Sequence, residues 1–310
     1  MKVLITGGTG FVGQLLARTI QAQGHNVVRA VRQAQPDSVL ISTVDGSTSW
    51  HEALQGCDSV VHLAARVHVM NDKSTDPVRE FRRVNVEGTA HLARQAAAAG
   101  VRRLVFLSSV KVNGEATQEG RPFTPDDPPA PEDPYGMSKH EAEQALRQIA
   151  ADSGMEVVII RPPLVYGPGV KANFESMMRW LARGVPLPLA AVTQNRRSLV
   201  ALDNLVDLIV TCLNHPAAAN QTFLASDGED LSTAELLKRM SAAMGKPARL
   251  FYVPQALLKL ATRLSNKLGT YQRLCGSLQV DITKTRQLLG WTPPVSVDEG
   301  LRRAAEGFRP

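Results

Sequence analysis

Tyr135 and Lys139 carry the densest chemistry in this 310-residue chain, in the run Tyr135-Gly136-Met137-Ser138-Lys139. On a helix, residues four apart share a face, so phenol and ammonium would stand together. A free tyrosine ionises at about pH 10 and is a poor base at neutral pH. A neighbouring ammonium favours the phenolate and lowers that value. Such a phenol exchanges the proton of an alcohol while hydride moves at the same carbon. The pattern alone recurs by chance, so its surroundings decide. Ser108 and Ser109 close an apolar run at 103–108. A hydroxyl at the carboxyl end of a parallel strand hydrogen-bonds a reacting oxygen and steadies developing charge. A serine capping a helix or a loop is the alternative.

A second group of residues binds rather than reacts. Gly7, Gly10 and Gly13 recur every third residue in Gly7-Gly8-Thr9-Gly10-Phe11-Val12-Gly13, between a strand-like run and a helical one. Glycines there permit a tight turn, a close approach of backbone to pyrophosphate and close helix–strand packing. The following helix offers free N–H groups and partial positive charge to phosphates. A purely structural turn is the alternative. A dinucleotide site of this kind for NAD places an Asp or Glu at the end of the second strand. Here that run reads Val27-Val28-Arg29-Ala30-Val31-Arg32, with no acid. Arg32 matches a 2′-phosphate through its fork of donors, so NADP(H) is preferred and NAD(H) possible. A solvated surface arginine is the other reading. Asp45, after the third run, is placed either to accept from an adenine amino group or to shape a turn. Ala64 and Ala65 are small enough for a cofactor to pass closely.

These residues need elements to hold them. Apolar runs at 2–6, 26–31, 39–44, 59–64, 103–108 and 156–161 are rich in Val, Ile and Leu without clean alternation, as strands covered on both faces are. Helical patterns lie between them at 11–23, 50–55, 77–99 and 135–153. The alternation predicts an α/β fold with a doubly wound parallel sheet of the Rossmann type. Residues 113–134 hold six prolines and read as a loop, on the surface or over the active site. The pattern then changes. Helices are expected at 174–183, 205–214, 233–244, 254–268, 283–289 and 297–305, with 187–197 as loop or short strands and 222–225 as a strand. The expected division is a dinucleotide-binding domain at 1–165, to which 199–225 return, and a smaller, mostly helical substrate domain from 166–198 and 226–310.

Composition limits the function classes. Hydrophobic residues at 44% and charged residues at 21% fit a globular chain. No apolar run reaches membrane-span length, and no secretory leader is evident, so membrane insertion is not expected. Three separated cysteines, Cys57, Cys212 and Cys275, fit a reduced compartment, predict no metal site and point to the cytoplasm. The net charge of +6 includes no Lys/Arg block of five or more, which argues against nucleic acid.

The motifs TGGTGFVG at 6–13, HLAA at 62–65, NVEGT at 85–89, LSS at 107–109, YGMSK at 135–139 and RPPLVYGPG at 161–169 occur in that order. Together they resemble the extended short-chain dehydrogenase/reductases of the NAD-dependent epimerase/dehydratase family, over essentially the whole chain. The resemblance implies that Gly7, Gly10, Phe11, Val12 and Gly13 hold the pyrophosphate, and that Asp45 meets adenine. It gives Ala64 and Ala65 to the cofactor passage and Asn85 to bracing beside it. Ser109, rather than Ser108, joins Tyr135 and Lys139 as the catalytic triad. Ser109, Lys111, Asn173, Arg197 and Arg273 become substrate contacts, Arg273 with a departure in spacing. It also implies a UDP-sugar substrate and a homodimer through the helices at 77–99 and 135–153.

The departures narrow the activity. Dehydratases of this family carry Asp-Glu after the catalytic hydroxyl residue, whereas this chain has Val110-Lys111. SSVKVNGE and LVYGPGVKANF look most like bacterial reductases of UDP-linked 4-keto-6-deoxy sugars. The leading expectation is NAD(P)H-dependent reduction at C4 of a UDP-4-keto-6-deoxy-N-acetylhexosamine, giving quinovosamine-type units for surface polysaccharide. The alternatives are a UDP-hexose or UDP-N-acetylhexosamine 4-epimerase with retained NAD, and a non-catalytic NADP(H)-sensing protein.

Overall fold

Strand β1 (Lys2–Thr6) has its last four residues buried, because both faces of the sheet it starts are covered. The computed structural model describes residues 1–33, 35, 37–67, 76–265 and 268–309. The chain continues through α1 (Phe11–Ala22), β2 (Asn26–Val31), β3 (Ser38–Leu40), α2 (His51–Leu54) and β4 (Ser59–His62). Next come α3 (Pro77–Phe81), a π-helical turn (Arg82–Glu87), α4 (Gly88–Ala98), β5 (Arg103–Leu107), α5 (Pro134–Ser153) and β6 (Glu156–Arg161). Among the described residues these strands and β9 (Thr222–Leu224) form one seven-stranded parallel sheet, ordered β3-β2-β1-β4-β5-β6-β9. The order reverses between β1 and β4, and ligands of such sheets sit at the carboxyl ends beside that switch.

Alternate residues of each strand face opposite layers. Val3, Ile5 and Val105 pack under α1 and α7 (Leu202–Asn214), with Leu16, Ile20, Leu205 and Ile209. Leu4, Leu104 and Phe106 pack under α2, α4 and α5, with Trp50, Leu92, Ala96 and Leu146. The three-layer α/β architecture expected from the sequence is therefore present.

The chain leaves the large sheet after β6 because Pro162 and Pro163 follow it, and neither has an N–H for a ladder. A second sheet then forms from β7 (Leu164–Tyr166), β8 (Arg197–Ala201) and β10 (Asp230–Leu231), ordered β10-β8-β7. Around it pack α6 (Ala172–Ala182), α8 (Thr233–Ala243) and α12 (Val297–Glu306), with Phe174, Met178, Leu237 and Leu301 in their core. Helices α9 (Gln255–Leu264) and α10 (Leu268–Cys275) lie outside it, and α11 (Thr283–Leu289) returns to β9 through Thr285, which donates to the Leu224 carbonyl at 2.9 Å.

Several expected boundaries shift. The domain limit at 165 falls inside β7, and β8 opens the segment at 199–225 in the smaller sheet, while α7 and β9 lie on the larger one. The smaller part thus holds a sheet as well as helices. The third strand ends at Leu40 rather than 44, since its partner among the described residues, β2, ends at Val31. The single helix expected at 77–99 is interrupted by the π-turn. The proline-rich loop is a strap between the two parts. Thr117 N donates to the Ser277 carbonyl, Phe123 N to Gln279 and Asp281 N to Phe123, at 2.8–2.9 Å.

Candidate active site

The glycine turn is built for close approach. Gly7 has φ +69°, and a Cβ there would stand 2.9 Å from the backbone nitrogen of Ala64. A Cβ on Gly13 would come 2.2 Å from the Gly7 carbonyl oxygen. Helix α1 starts at an N-cap glycine, Gly10, with no side-chain cap and no acid in its first turn. Its opening N–H groups are left for an external anion. Phe11 and Val12, half-buried, anchor that turn to the core. Beyond it lies a cleft of about 500 Å³, lined by Gly7, Gly10, Ala64, Ala65, Val31 and Arg32 among others. This cleft, floored by a turn too tight for any Cβ at Gly7 or Gly13, fits a dinucleotide.

Arg32 follows β2 directly and is exposed at the cleft, with no carboxylate at the strand end. Asp45 does not line the cleft, where Ser42, Thr43 and Val44 stand instead. Its Oδ1 accepts from Ser47 N at 3.0 Å and Ser47 Oγ at 2.7 Å, and its Oδ2 from Arg83 at 2.9 Å. The Ser47 bonds, with Arg83, hold the carboxyl below its ordinary range. Asp45 thus shapes the turn that follows Val44 at the cleft.

Asn85 is buried because the π-turn swings it inward, a distortion common at functional sites. It accepts from Arg66 N at 2.8 Å and donates to the Arg66 carbonyl at 3.0 Å and to Ser138 Oγ at 2.9 Å. The loop after β4 is thereby tied to α5, one residue from Lys139.

Helix α5 begins with Asp133 as its N-cap, accepting from Gly136 N at 2.6 Å, and Pro134 in the first turn. That start places Tyr135 beside the end of β5, near enough to Ser109 for its hydroxyl to favour the phenolate. The Phe81 ring meets Tyr135 edge-on, with centroids 6.2 Å apart. Burial, with the Asp133 carboxylate, pushes the phenol up to about 12, against the pull of the Ser109 hydroxyl. Lys139, fully buried, donates to the Leu107 carbonyl at 2.7 Å and stands over the Phe106 ring. Burial brings its ammonium down to about 7, against the pull of Glu143. The expected lowering of the tyrosine by the lysine is therefore reversed in the protein alone. A lysine that loses its own charge near neutrality is a weak source of positive potential.

Ser108 is occupied elsewhere. It is buried and donates to Glu143 Oε1 at 2.5 Å, which leaves Ser109 as the serine beside Tyr135. Lys111 also has partners, donating to Glu115 at 2.8 Å and to Asp133 at 2.5 Å, so it braces the α5 cap. Asn173 is exposed in the first turn of α6. Arg197 donates to the Gly276 carbonyl at 3.1 Å. Arg273 is exposed and donates to the Gly269 carbonyl within α10. Among the described residues no hydrogen bond joins these three.

Residues 3–225 match the model of the NAD dependent epimerase/dehydratase family. The chain belongs to that family. Over 312 residues it is 50% identical to the UDP-glucose 4-epimerase of Vibrio cholerae, covering 99% of this chain and 95% of the relative. Its fold superposes on MoeE5 in complex with UDP-glucuronic acid and NAD with a TM-score of 0.78 and 26% identity, covering 99% of this chain and 98% of that one. UDP-N-acetylglucosamine 4-epimerase from Bacillus cereus gives a TM-score of 0.81 at 20% identity, covering 99% and 98%, a likeness of fold alone.

Family membership makes the chain an enzyme, as expected, and shifts the balance between its expected activities. The V. cholerae relative is an epimerase, which favours the alternative over the reductase reading. MoeE5 holds NAD, whereas a preference for NADP has no such support.

Two groups escaped the sequence reading. His62 is buried with Nδ1 2.6 Å from Thr6 Oγ1 and Nε2 2.9 Å from Thr89 Oγ1, and its ring stacks on Phe106. It falls inside the HLAA motif, so its position was visible and its partners were not. Glu143 and Arg161 form a buried two-armed ion pair, with N–O distances of 2.9 and 2.6 Å. Glu143 lies one turn beyond Lys139, a spacing that the sequence does display.

Proposed function

We propose that this enzyme is a nucleotide-sugar 4-epimerase acting on a UDP-hexose or UDP-N-acetylhexosamine. The observation that carries the reading is the 50% identity, end to end, with a UDP-glucose 4-epimerase. The nicotinamide cofactor, when bound, supplies the acceptor and donor of hydride at C4. Gly7, Gly10 and Gly13 hold its pyrophosphate at the start of α1. In its phenolate form, which the positive charge of an oxidised nicotinamide would favour over the value in the protein alone, Tyr135 takes the proton of the C4 hydroxyl and returns it, and Ser109 hydrogen-bonds the same oxygen. Lys139, fixed by the Leu107 carbonyl, sits one turn behind the phenol. Arg197 and Asn173 hold the diphosphate side of the substrate.

One observation favours a second reading, reduction of a UDP-4-keto-6-deoxy-N-acetylhexosamine with exchangeable NADPH. The end of β2 presents Arg32 and no acid to the cleft. One experiment separates the two. Purified enzyme is incubated with UDP-glucose or UDP-N-acetylglucosamine, without added cofactor, and the products are read by NMR. Epimerisation to the galacto sugar is expected, reduced about 10²- to 10⁴-fold in Tyr135→Phe. No epimer, together with NADPH oxidation on the 4-keto sugar, would replace this reading by the second.

A further inference from the structure

The positive charge of this chain is concentrated. Between positions 236 and 280 the sequence holds eight Lys and Arg and no Asp or Glu. The whole chain carries +6, so everything outside that stretch sums to −2. The same stretch holds the two most exposed large hydrophobic side chains among the described residues, Leu264 at 80% and Tyr252 at 73%.

Helix α9 organises both features. Leu257, Leu260 and Leu264 fall on one face at helical spacing, each at least half exposed. Leu258, about 100° round the helix, packs against the core of the smaller part instead. Lys259 and Arg263 are exposed along the opposite flank of the apolar face, and neither joins an ion pair among the described residues. Phe251 and Tyr252, just before α9, extend the apolar surface. An apolar stripe bordered by cations suits a helix lying in the plane of a bilayer surface. Anionic headgroups complement the charge, whereas a second copy on this face would set like charges against each other. No helix among the described residues is long and apolar enough to cross a membrane, so the fit is to docking on the surface.

We propose that the α9–α10 face docks this enzyme on a bilayer bearing anionic headgroups. Helix α10 ends immediately before Gly276, whose carbonyl holds Arg197. The proposal concerns binding alone and stands whichever sugar is converted.

Co-sedimentation of the full chain with lipid vesicles tests it. Binding should be at least about tenfold stronger to vesicles with one third phosphatidylglycerol than to pure phosphatidylcholine, and should fall in high salt. Combined Leu257→Glu, Leu260→Glu and Leu264→Glu should abolish pelleting with an unchanged melting temperature. Should that variant fold poorly, Lys259→Glu with Arg263→Glu should weaken pelleting at least about tenfold while leaving melting unchanged. Wild type remaining in the supernatant with both vesicle types overturns the proposal. So does a dimer in solution that the leucine substitutions dissociate, since a second copy then covers the face.

Discussion

Lys139 stands with its Nζ 4.2 Å from the centroid of the Phe106 ring. The contact and the Leu107 carbonyl stabilise an ammonium that burial otherwise brings down to about 7. Between that value and the ordinary 10.5, the unfolded chain holds a proton that the folded chain lacks. Stability therefore rises with pH across that window, by at most ~1.4 kcal/mol per pH unit. Lys139→Met removes this dependence and costs turnover at least about a hundredfold. Urea midpoints of both proteins at several pH values from neutral to alkaline check it. A constant difference between them would place the lysine's titration elsewhere.

Glu143 and Arg161 are a buried pair with further partners. Arg161 also donates to Asn113 at 3.0 Å, and Glu143 accepts from Ser108. Removing one member leaves an uncompensated buried charge. Glu143→Ala is expected to cost about 3–5 kcal/mol. Glu143→Leu with Arg161→Met should recover most of that loss, since an apolar pair is no longer charged. Denaturation midpoints report it, and a loss under about 1 kcal/mol in the single variant would mean that Arg161 finds water.

Arg32 decides cofactor choice if it meets a 2′-phosphate. Arg32→Asp should weaken NADPH binding about tenfold or more, the scale of a charge-assisted hydrogen bond. NADH binding should be maintained or improved, since an acid at this strand end serves the ribose hydroxyls. Fluorescence titration of both reduced cofactors measures this. Equal changes for the two would make Arg32 a solvated side chain.

What the sequence displayed follows from the range of the interactions. Gly7, Gly10 and Gly13, and Tyr135 with Lys139, act through spacings of three or four residues, which a sequence shows directly. The ion pair of Asp45 is not displayed, because its partner Arg83 is 38 positions away. The bracing of the α5 cap by Lys111 is not displayed either, because Asp133 is 22 positions away. The π-turn at Asn85 has no local signature, since packing on Ser138 sets its register. The change of pattern after residue 161 is displayed, but not which strands gather beyond it.

His62 gives the last prediction, because its two hydroxyl neighbours and Phe106 leave no room for hydration. Burial, with the charge of Lys139, lowers its pKa from 6.5 to about 3. Between those values the unfolded chain takes up a proton that the folded chain refuses. Stability therefore rises with pH through that window and is lost on acidification. His62→Gln keeps a donor and an acceptor for Thr6 and Thr89 but does not titrate there. Its melting temperature should fall less than that of wild type between pH 6.5 and pH 4. His62→Ala should instead lose about 1–3 kcal/mol at neutral pH, because two buried hydroxyls lose partners. Parallel acid limbs in wild type and His62→Gln would show that the imidazole is protonated without unfolding.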